Sequence, residues 1–461
     1  MVDPACPGCQ ALQHRVEELE AQVRELLAKL NSNASNSSTP PSANPLSAPK
    51  PVQKKKSKLK RGGQPGHPPH LKELLPLEQV TRTLAIVPTE CDSCHAALPS
   101  AAGPNDPEPK RFQTIELPPI VVEVVEYQAQ ARTCACCGEV TWATIPAAIG
   151  AHSIGPRLTA TLSYASGALG ISKRALEEFV DVVFRVWIGL GTVANLEPEV
   201  SAAVAPAHQE ALAAVRQADV KFADETSWKL WGKLCWLWAA ATVSVAAFLI
   251  HAKRGAVGLT ALLGEEIQGI LHSDRWHVYW QIAEERRQVC WAHLKRDFQK
   301  IKDRGGPSVF VGQRGLRIVK EVFAAWHAFR EGKVRRHQLQ KLIEPLRDRR
   351  GKALMDGAFG DDARVAKFCN KVLDLENALW TFTLREGVEP TNNYMERLLR
   401  LAVLWRRRSF GCNSERGCRF VERILTVVQT CRLRDKNALE YLCGAIHSHR
   451  QGRPCPPLLS Y

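Results

Sequence analysis

The sequence predicts a multidomain α+β protein. An α/β core occupies the second half, interrupted by helices and preceded by a coiled coil, a cysteine-bearing β-rich unit and a helical domain. Three observations predict it. Leucine and valine recur at heptad spacing near the N-terminus, two Cys-x2-Cys pairs flank short β-like runs, and three apolar runs, a helical pattern and a fourth apolar run follow from Val220. At 461 residues the chain should hold about three or four units.

The formal charge of +15 predicts a polyanionic partner, with nucleic acid the first candidate. A membrane span is not expected. The longest apolar stretch, Cys235 to Ile250, is shorter than a spanning helix, is broken by Thr242 and Ser244, and reads as two neighbouring strands. The N-terminus opens with Asp3 and turns charged by Arg15, so no secretory signal is expected. Fifteen cysteines, an odd number in a chain read as signal-free, suit thiols or metal ligands better than a disulfide framework, and imply a reducing cytosol.

Residues 1–31 carry the heptads: Val16, Val23 and Leu30 at one seam position, Leu12, Leu19 and Leu26 at the other. Valine at a and leucine at d favour a parallel two-stranded coil, and so a homodimer or higher oligomer. With about three heptads it would assist an assembly held elsewhere. Residues 32–76 read as a linker, "NSNASNSSTPPSANP", followed by a basic arm of Lys54, Lys55, Lys56, Lys58, Lys60 and Arg61. Clustered cations next to glycines suit a phosphate backbone.

Residues 77–146 hold the runs "TRTLAIV" and "PPIVVEVVEYQAQ" and the pairs Cys91/Cys94 and Cys134/Cys137. Four thiolates are what a structural Zn2+ ion requires; Cys136 and His95 are spare donors, so the fourth ligand stays open. Cys6 and Cys9 form a further, lone pair. Residues 147–215 read as helices, with "SKRALEEFVDVVF", a glycine break and a Thr-capped second helix outlining a helix-turn-helix.

Residues 216–440 carry the core. "VKFADET", "LCWLWAAAT" and "AAFLIHAKR" are strands, "GAVGLTALLG" a connecting helix and "GILHSD" a fourth strand, the order of a ribonuclease H-like core. In that topology the first and fourth strands are neighbours, which brings Asp224 close to Asp274. Two carboxylates that close need a divalent cation with oxygen ligands between them. Phosphoryl chemistry with two ions needs a further acid on a helix packed over the strand ends. Glu396 fits, in "TNNYMERLLRLAVLW", with a Thr/Asn cap, an apolar face of Leu398, Leu399, Ala402 and Val403, and the cations Arg397, Arg400, Arg406, Arg407 and Arg408 around it. About a hundred charged, helical residues precede it, an expected insertion at about 299–388. Residues 441–461 are expected to be a C-terminal tail.

The motifs "RGGQPGHPP", "ADETSWKLWGKLCWLWAAAT", "HSDRWHVY", "CWAHLKRDF" and "PTNNYMERLLR", together with the zipper and the cysteine pairs, make the chain resemble bacterial insertion-sequence transposases of the DDE type, specifically the insertion sequence sixty-six family. The resemblance runs almost end to end. It implies Asp224, Asp274 and Glu396 as the catalytic triad, two Mg2+ or Mn2+ ions, and DNA strand cleavage and transfer at the element's ends. It also implies terminal-repeat and target DNA as partners, accessory proteins of the same element, and a nucleoid-associated cytoplasmic location. The family's cysteine-histidine motif falls on Cys290 and His293, for which a structural or DNA-proximal role is expected. Two departures are an extra cysteine, Cys136, and Asp297 in a normally basic segment. The alternative is a catalytically inactive DNA-binding repressor or architectural protein. A zinc hydrolase is disfavoured, because paired cysteines suit closed sites.

Overall fold

The structure, a computed structural model, describes residues 7–33, 36–37 and 73–461. The described residues fall into two units, one within Pro49–Glu123 and the other within Met1–Ala48 and Val124–Tyr461. The basic arm (Lys54, Lys55, Lys56, Lys58, Lys60, Arg61) and Cys6 lie outside the described residues.

In the smaller unit, Arg111 and Gln113 side chains both donate to the Leu75 carbonyl at 2.9 Å. A bridge between Glu90 and Ala97 closes a turn around Cys91 and Cys94. The run 81–87, expected as a strand, forms no ladder, and neither does 118–130. A strand is stable only with a partner for its backbone groups. Without one, apolar side chains such as Ile86 and Val121 stay exposed.

The larger unit begins with α1 (Pro7–Leu30). All six heptad residues named above are exposed along it. A hairpin of β1 (Ala131–Thr133) and β2 (Val140–Trp142) carries Cys134–Cys137 in its turn. Five helices follow: α2 (Ala147–Gly150), α3 (Pro156–Leu169), α4 (Lys173–Phe184), α5 (Leu190–Ala203) and α6 (Ala205–Gln217). Pro156 opens α3 and Gly170, left-handed at φ 66°, ends it; the Ser172 hydroxyl caps α4 by accepting from Ala175 N–H.

The helix-turn-helix expectation meets an obstacle in α5. It starts after Gly189 with no side-chain cap, so Thr192 is not its cap. It has no Lys or Arg; Glu197 is paired with Lys173, and Glu199 with Arg450. Val193, Leu196 and Val200 are buried, and the helix packs on α3, α4 and two C-terminal helices introduced below. An acidic helix with its apolar face occupied lacks the cationic surface that a groove-reading helix needs.

The sheet is built from β3 (Val220–Leu230), β4 (Lys233–Ala241) and β5 (Ala246–His251), then α7 (Ala256–Leu263), β6 (Ile270–Ser273) and β7 (Arg287–Val289). Its order is β5-β4-β3-β6-β7. The first three strands are antiparallel, whereas β6 and β7 run parallel to β3. β7, too short to read from the sequence, completes the edge. Gly258 lets α7 lie against the sheet: a Cβ there would sit 2.4 Å from Trp238 Nε1.

Alternation along β3 sorts its side chains to two faces. Ala223 joins a core with Trp238, Ala240, Leu259 and Ala211. Phe222 faces the other way, with Leu237, Phe248, Met395 and Leu399. Between β7 and that second layer stand α8 (Trp291–Arg304), α9 (Val309–Arg330), α10 (Arg336–Ala358), α11 (Ala363–Leu373) and α12 (Glu376–Leu384), with a core of their own. Then α13 (Asn393–Ser409) crosses β3, and α14 (Glu415–Leu433) and α15 (Ala438–Arg450) close the unit.

The expected tail is a structural element instead. Tyr441, Leu442, Ala445 and Ile446 form an apolar stripe on α15 that packs on α3, and Leu458 beyond it is buried. Spacing of that kind marks a packed helix. Among the described residues, no helix is long and apolar enough to cross a membrane.

Candidate active site

Three elements bring the acids together. Phe222 of β3 is paired with His272 of β6, so Asp224, within β3, and Asp274, just past the end of β6, each lie two residues beyond that pair. Asp224 lies on the Phe222 face, beneath α13, whose first turn carries Glu396.

His272 fastens this arrangement. Fully buried and stacked on Phe222 at 4.0 Å, it accepts Glu389 N–H on Nε2 at 3.0 Å. Its Nδ1 therefore donates, to the Lys221 carbonyl at 3.2 Å. One neutral ring thus ties β6 to β3 and to the segment leading into α13, and burial holds its pKa down at about 4.

A second tie runs through Asn392, where α13 begins. Its side chain does not cap the helix; Nδ2 donates instead to the Ala223 carbonyl at 2.9 Å, while its N–H points at Cys290 Sγ at 3.1 Å. Cys290, buried at the start of α8, thereby joins the N-termini of α8 and α13. That is a structural use of the cysteine-histidine motif. His293, one turn on, has Nε2 3.7 Å from Glu396 Oε1. Burial, with Arg296 and Arg275 nearby, pushes its pKa down to about 3, so the ring is neutral.

The electrostatics are dominated by converging negative charge. Burial first, then Glu225, Asp274 and Glu396, raise the pKa of Asp224, against the Glu225 N–H that donates to its Oδ1 at 2.9 Å. Burial also raises Asp274, opposed by the Trp276 N–H at 2.8 Å and by Arg254 and Arg275. Glu396 is engaged by Arg296 Nη2 at 3.1 Å. Among the described residues, no three His, Cys, Asp or Glu side chains are already gathered at metal-ligand spacing.

Several participants, Asp297 apart, were not singled out in the sequence. Glu225, on the opposite face of β3 from Asp224, accepts from Arg254 Nε and Nη2 at 3.0 and 2.8 Å and from the buried Tyr279 hydroxyl at 2.8 Å. Arg254 in turn lies over Trp276 and Trp236, 4.1 and 4.6 Å from the ring centres. Asp297, the acid in the basic segment, is bound by Arg275 beside Asp274. Its adjacency to Asp224 was the signal for Glu225; no local spacing pointed to Arg254, Tyr279 or His272.

The cations around Glu396 divide. Arg397 and Arg400 are exposed, Arg397 over the Tyr394 ring. Arg406 is half-buried and spent on Thr226 Oγ1 and on the Ser227 carbonyl and hydroxyl, pinning α13 to β3. Arg407 is exposed, and Arg408 donates to the Leu169 and Gly170 carbonyls at the end of α3.

The two cysteine turns are alike. Cys91 N–H donates to Ala96 O, and His95 N–H to Cys91 O, both at 3.0 Å. Cys134 N–H donates to Glu139 O at 2.7 Å, and Gly138 N–H to Cys134 O at 2.9 Å. His95 and Gly138, each following a second cysteine, are left-handed at φ 57° and 75°. In each turn the N–H groups of the next cysteine pair member and its predecessor, Cys94 and Ser93 or Cys137 and Cys136, lower the pKa of the first thiol. Each turn is thus preshaped to stabilise a thiolate.

Comparison with known proteins follows the same lines. The Transposase IS66 family matches residues 152–419, a span that includes Asp224, Asp274 and Glu396. A family of unknown function (DUF6444) matches residues 7–73. The uncharacterized protein y4qI of Sinorhizobium fredii (strain NBRC 101917 / NGR234) is 24% identical over 269 residues, 52% of this chain and 49% of that protein. The chain therefore spans about half the length of that curated relative. With more than half of its residues matched, the chain belongs to the IS66 transposase family.

Proposed function

We propose that the chain is a DNA transposase that cuts the ends of an insertion sequence and joins the freed 3′-hydroxyl to target DNA, using a ribonuclease H-like core. The observation that carries this reading is the juxtaposition of Asp224 and Asp274 on paired parallel strands, with Glu396 in the first turn of the helix above them.

The donor set fits hard divalent cations. Carboxylates that raise one another's pKa are relieved by a cation between them, and oxygen ligands suit Mg2+ or Mn2+. Asp224, Asp274 and Glu396 would hold such ions. Bound there, the ions supply Lewis acidity to a phosphodiester and offset charge on the attacking and leaving oxygens. The chain's own contribution is position: His272 and Asn392 hold the three acid-bearing elements in register, and Arg254 and Tyr279 fix Glu225 on the other face of β3. Arg397, Arg400, Arg407 and Arg408 supply positive charge for DNA phosphates, along with Lys54, Lys55, Lys56, Lys58, Lys60 and Arg61; Arg406 serves the fold. Cys91, Cys94, Cys134 and Cys137 are the proposed ligands of structural Zn2+. The exposed heptad seam of α1 is proposed to pair with a second copy of the chain.

The test is incubation of a labelled terminal-repeat duplex with the full chain. Strand cutting with Mg2+ that stops in EDTA supports the reading, and absence of cutting while the duplex is bound favours the inactive DNA-binding alternative.

A further inference from the structure

Beside Asp274 opens a cleft of about 300 Å³, bordered by Arg254, Arg275, His277, Trp280 and Lys371. Its members come from separate parts of the unit: the loop after β5, the segment after β6, α8 with His293 and Asp297, and α11 of the helical insertion. Trp280 is 38% exposed, yet its orientation is fixed, because Nε1 donates to the Arg275 carbonyl at 3.3 Å. Arg275 is held by Asp297, and Arg254 by Glu225 and the Trp276 ring. Lys371 is exposed at the rim. The cleft therefore joins a flat aromatic surface and fixed cations to one of the acids.

That combination suits a nucleotide, since a base stacks on a ring while its phosphate meets a cation. In a duplex both faces of each base are covered by its neighbours, so only a base taken out of the stack can use the ring. Resting on the transposase reading, we propose that this cleft holds one unpaired nucleotide of the DNA strand being processed, its base on Trp280 and its phosphate toward Lys371. The neighbouring phosphodiester is then presented at Asp274. The ligand class is single-stranded or extrahelical DNA, and the reading predicts local strand opening at the cut.

The experiment uses the full chain in EDTA, so that no strand is cut. Fluorescence anisotropy compares a labelled mixed-sequence duplex, fully paired, with the same duplex bearing one unpaired 2-aminopurine nucleotide. Wild type should bind the second about tenfold more tightly. Trp280→Ala should erase that difference while binding the paired duplex as wild type does, and Trp280→Phe, which keeps a ring, should retain most of it. Equal binding of the two duplexes by wild type, or a preference that survives Trp280→Ala, overturns the inference and leaves the transposase reading standing. Failure to bind either duplex overturns both.

Discussion

Replacing Asn392 with Ala should damage strand cutting far more than it damages the fold. The substitution removes the bond from Nδ2 to the Ala223 carbonyl, one residue before Asp224. Such a bond contributes about 1 kcal/mol net, and a buried carbonyl left short of a donor costs about as much again. Part of this is returned, because Asn392 Oδ1 is buried without a partner and leaves with the side chain. The net loss is about 1 kcal/mol, or roughly 2–4 °C in midpoint for a large domain. Glu396 stands one turn further along α13, however, and a shift of about 1 Å in a positioned group lowers the rate roughly a hundredfold. Asn392→Asp, which sets a carboxylate against that carbonyl near Asp224, should cost about 3–5 kcal/mol, the range for an uncompensated buried charge. Thermal unfolding by circular dichroism reads the first quantity. Single-turnover nicking well below both midpoints reads the second. If Asn392→Ala nicks at the wild-type rate, this bond does not position α13 and the reasoning fails.

Three further outcomes are expected. Protein purified without added metal should contain about one zinc per chain, lost when Cys91 and Cys94 are replaced by Ser; folded, active protein with none by elemental analysis contradicts the proposed ligand set. Replacing the six cations of Lys54 to Arg61 with Gln should weaken binding to all duplexes alike and flatten the dependence of log K on log salt by roughly one unit per lost contact; an unchanged slope would make the arm a plain linker. His208 donates to the Phe248 carbonyl at 2.8 Å and is buried, with Arg423, Arg419 and Arg216 also disfavouring its charge, so its folded pKa is depressed. The unfolded chain then takes up the proton first, and stability falls as pH drops below the ordinary histidine value. Urea midpoints should show this acid loss in wild type and less of it in His208→Gln; parallel profiles would refute it.

Period and spacing were enough for the local parts of this molecule. The heptads of α1 and the apolar runs of β3, β4, β5 and β6 could be read locally, since each repeats or ends within a short window, whereas Asp224, expected at a strand end, lies inside β3, which continues to Leu230 because β4 pairs with it along that length. Glu396 was legible through its helix and the resemblance of its motif. What escaped depends on contacts across long stretches of chain. Asn392 and Ala223 are 169 residues apart, and His272 and Glu389 are 117 apart. The apolar stripe of α15 has meaning only against α3, and the runs 81–87 and 118–130 had strand-like composition without a partner strand. For α5, a cap-like threonine outweighed the absence of Lys and Arg, which a charge count would have caught.

The most direct test of the central claim, that Asp224, Asp274 and Glu396 act as one metal-holding centre, is paired measurement of cutting and binding in single variants. With Mg2+ and a labelled terminal-repeat duplex, Asp224→Asn, Asp274→Asn and Glu396→Gln should each abolish nicking while anisotropy reports nearly wild-type DNA affinity, because the cations proposed to grip DNA are untouched. A variant that nicks at close to the wild-type rate would remove its residue from the centre and contradict the account.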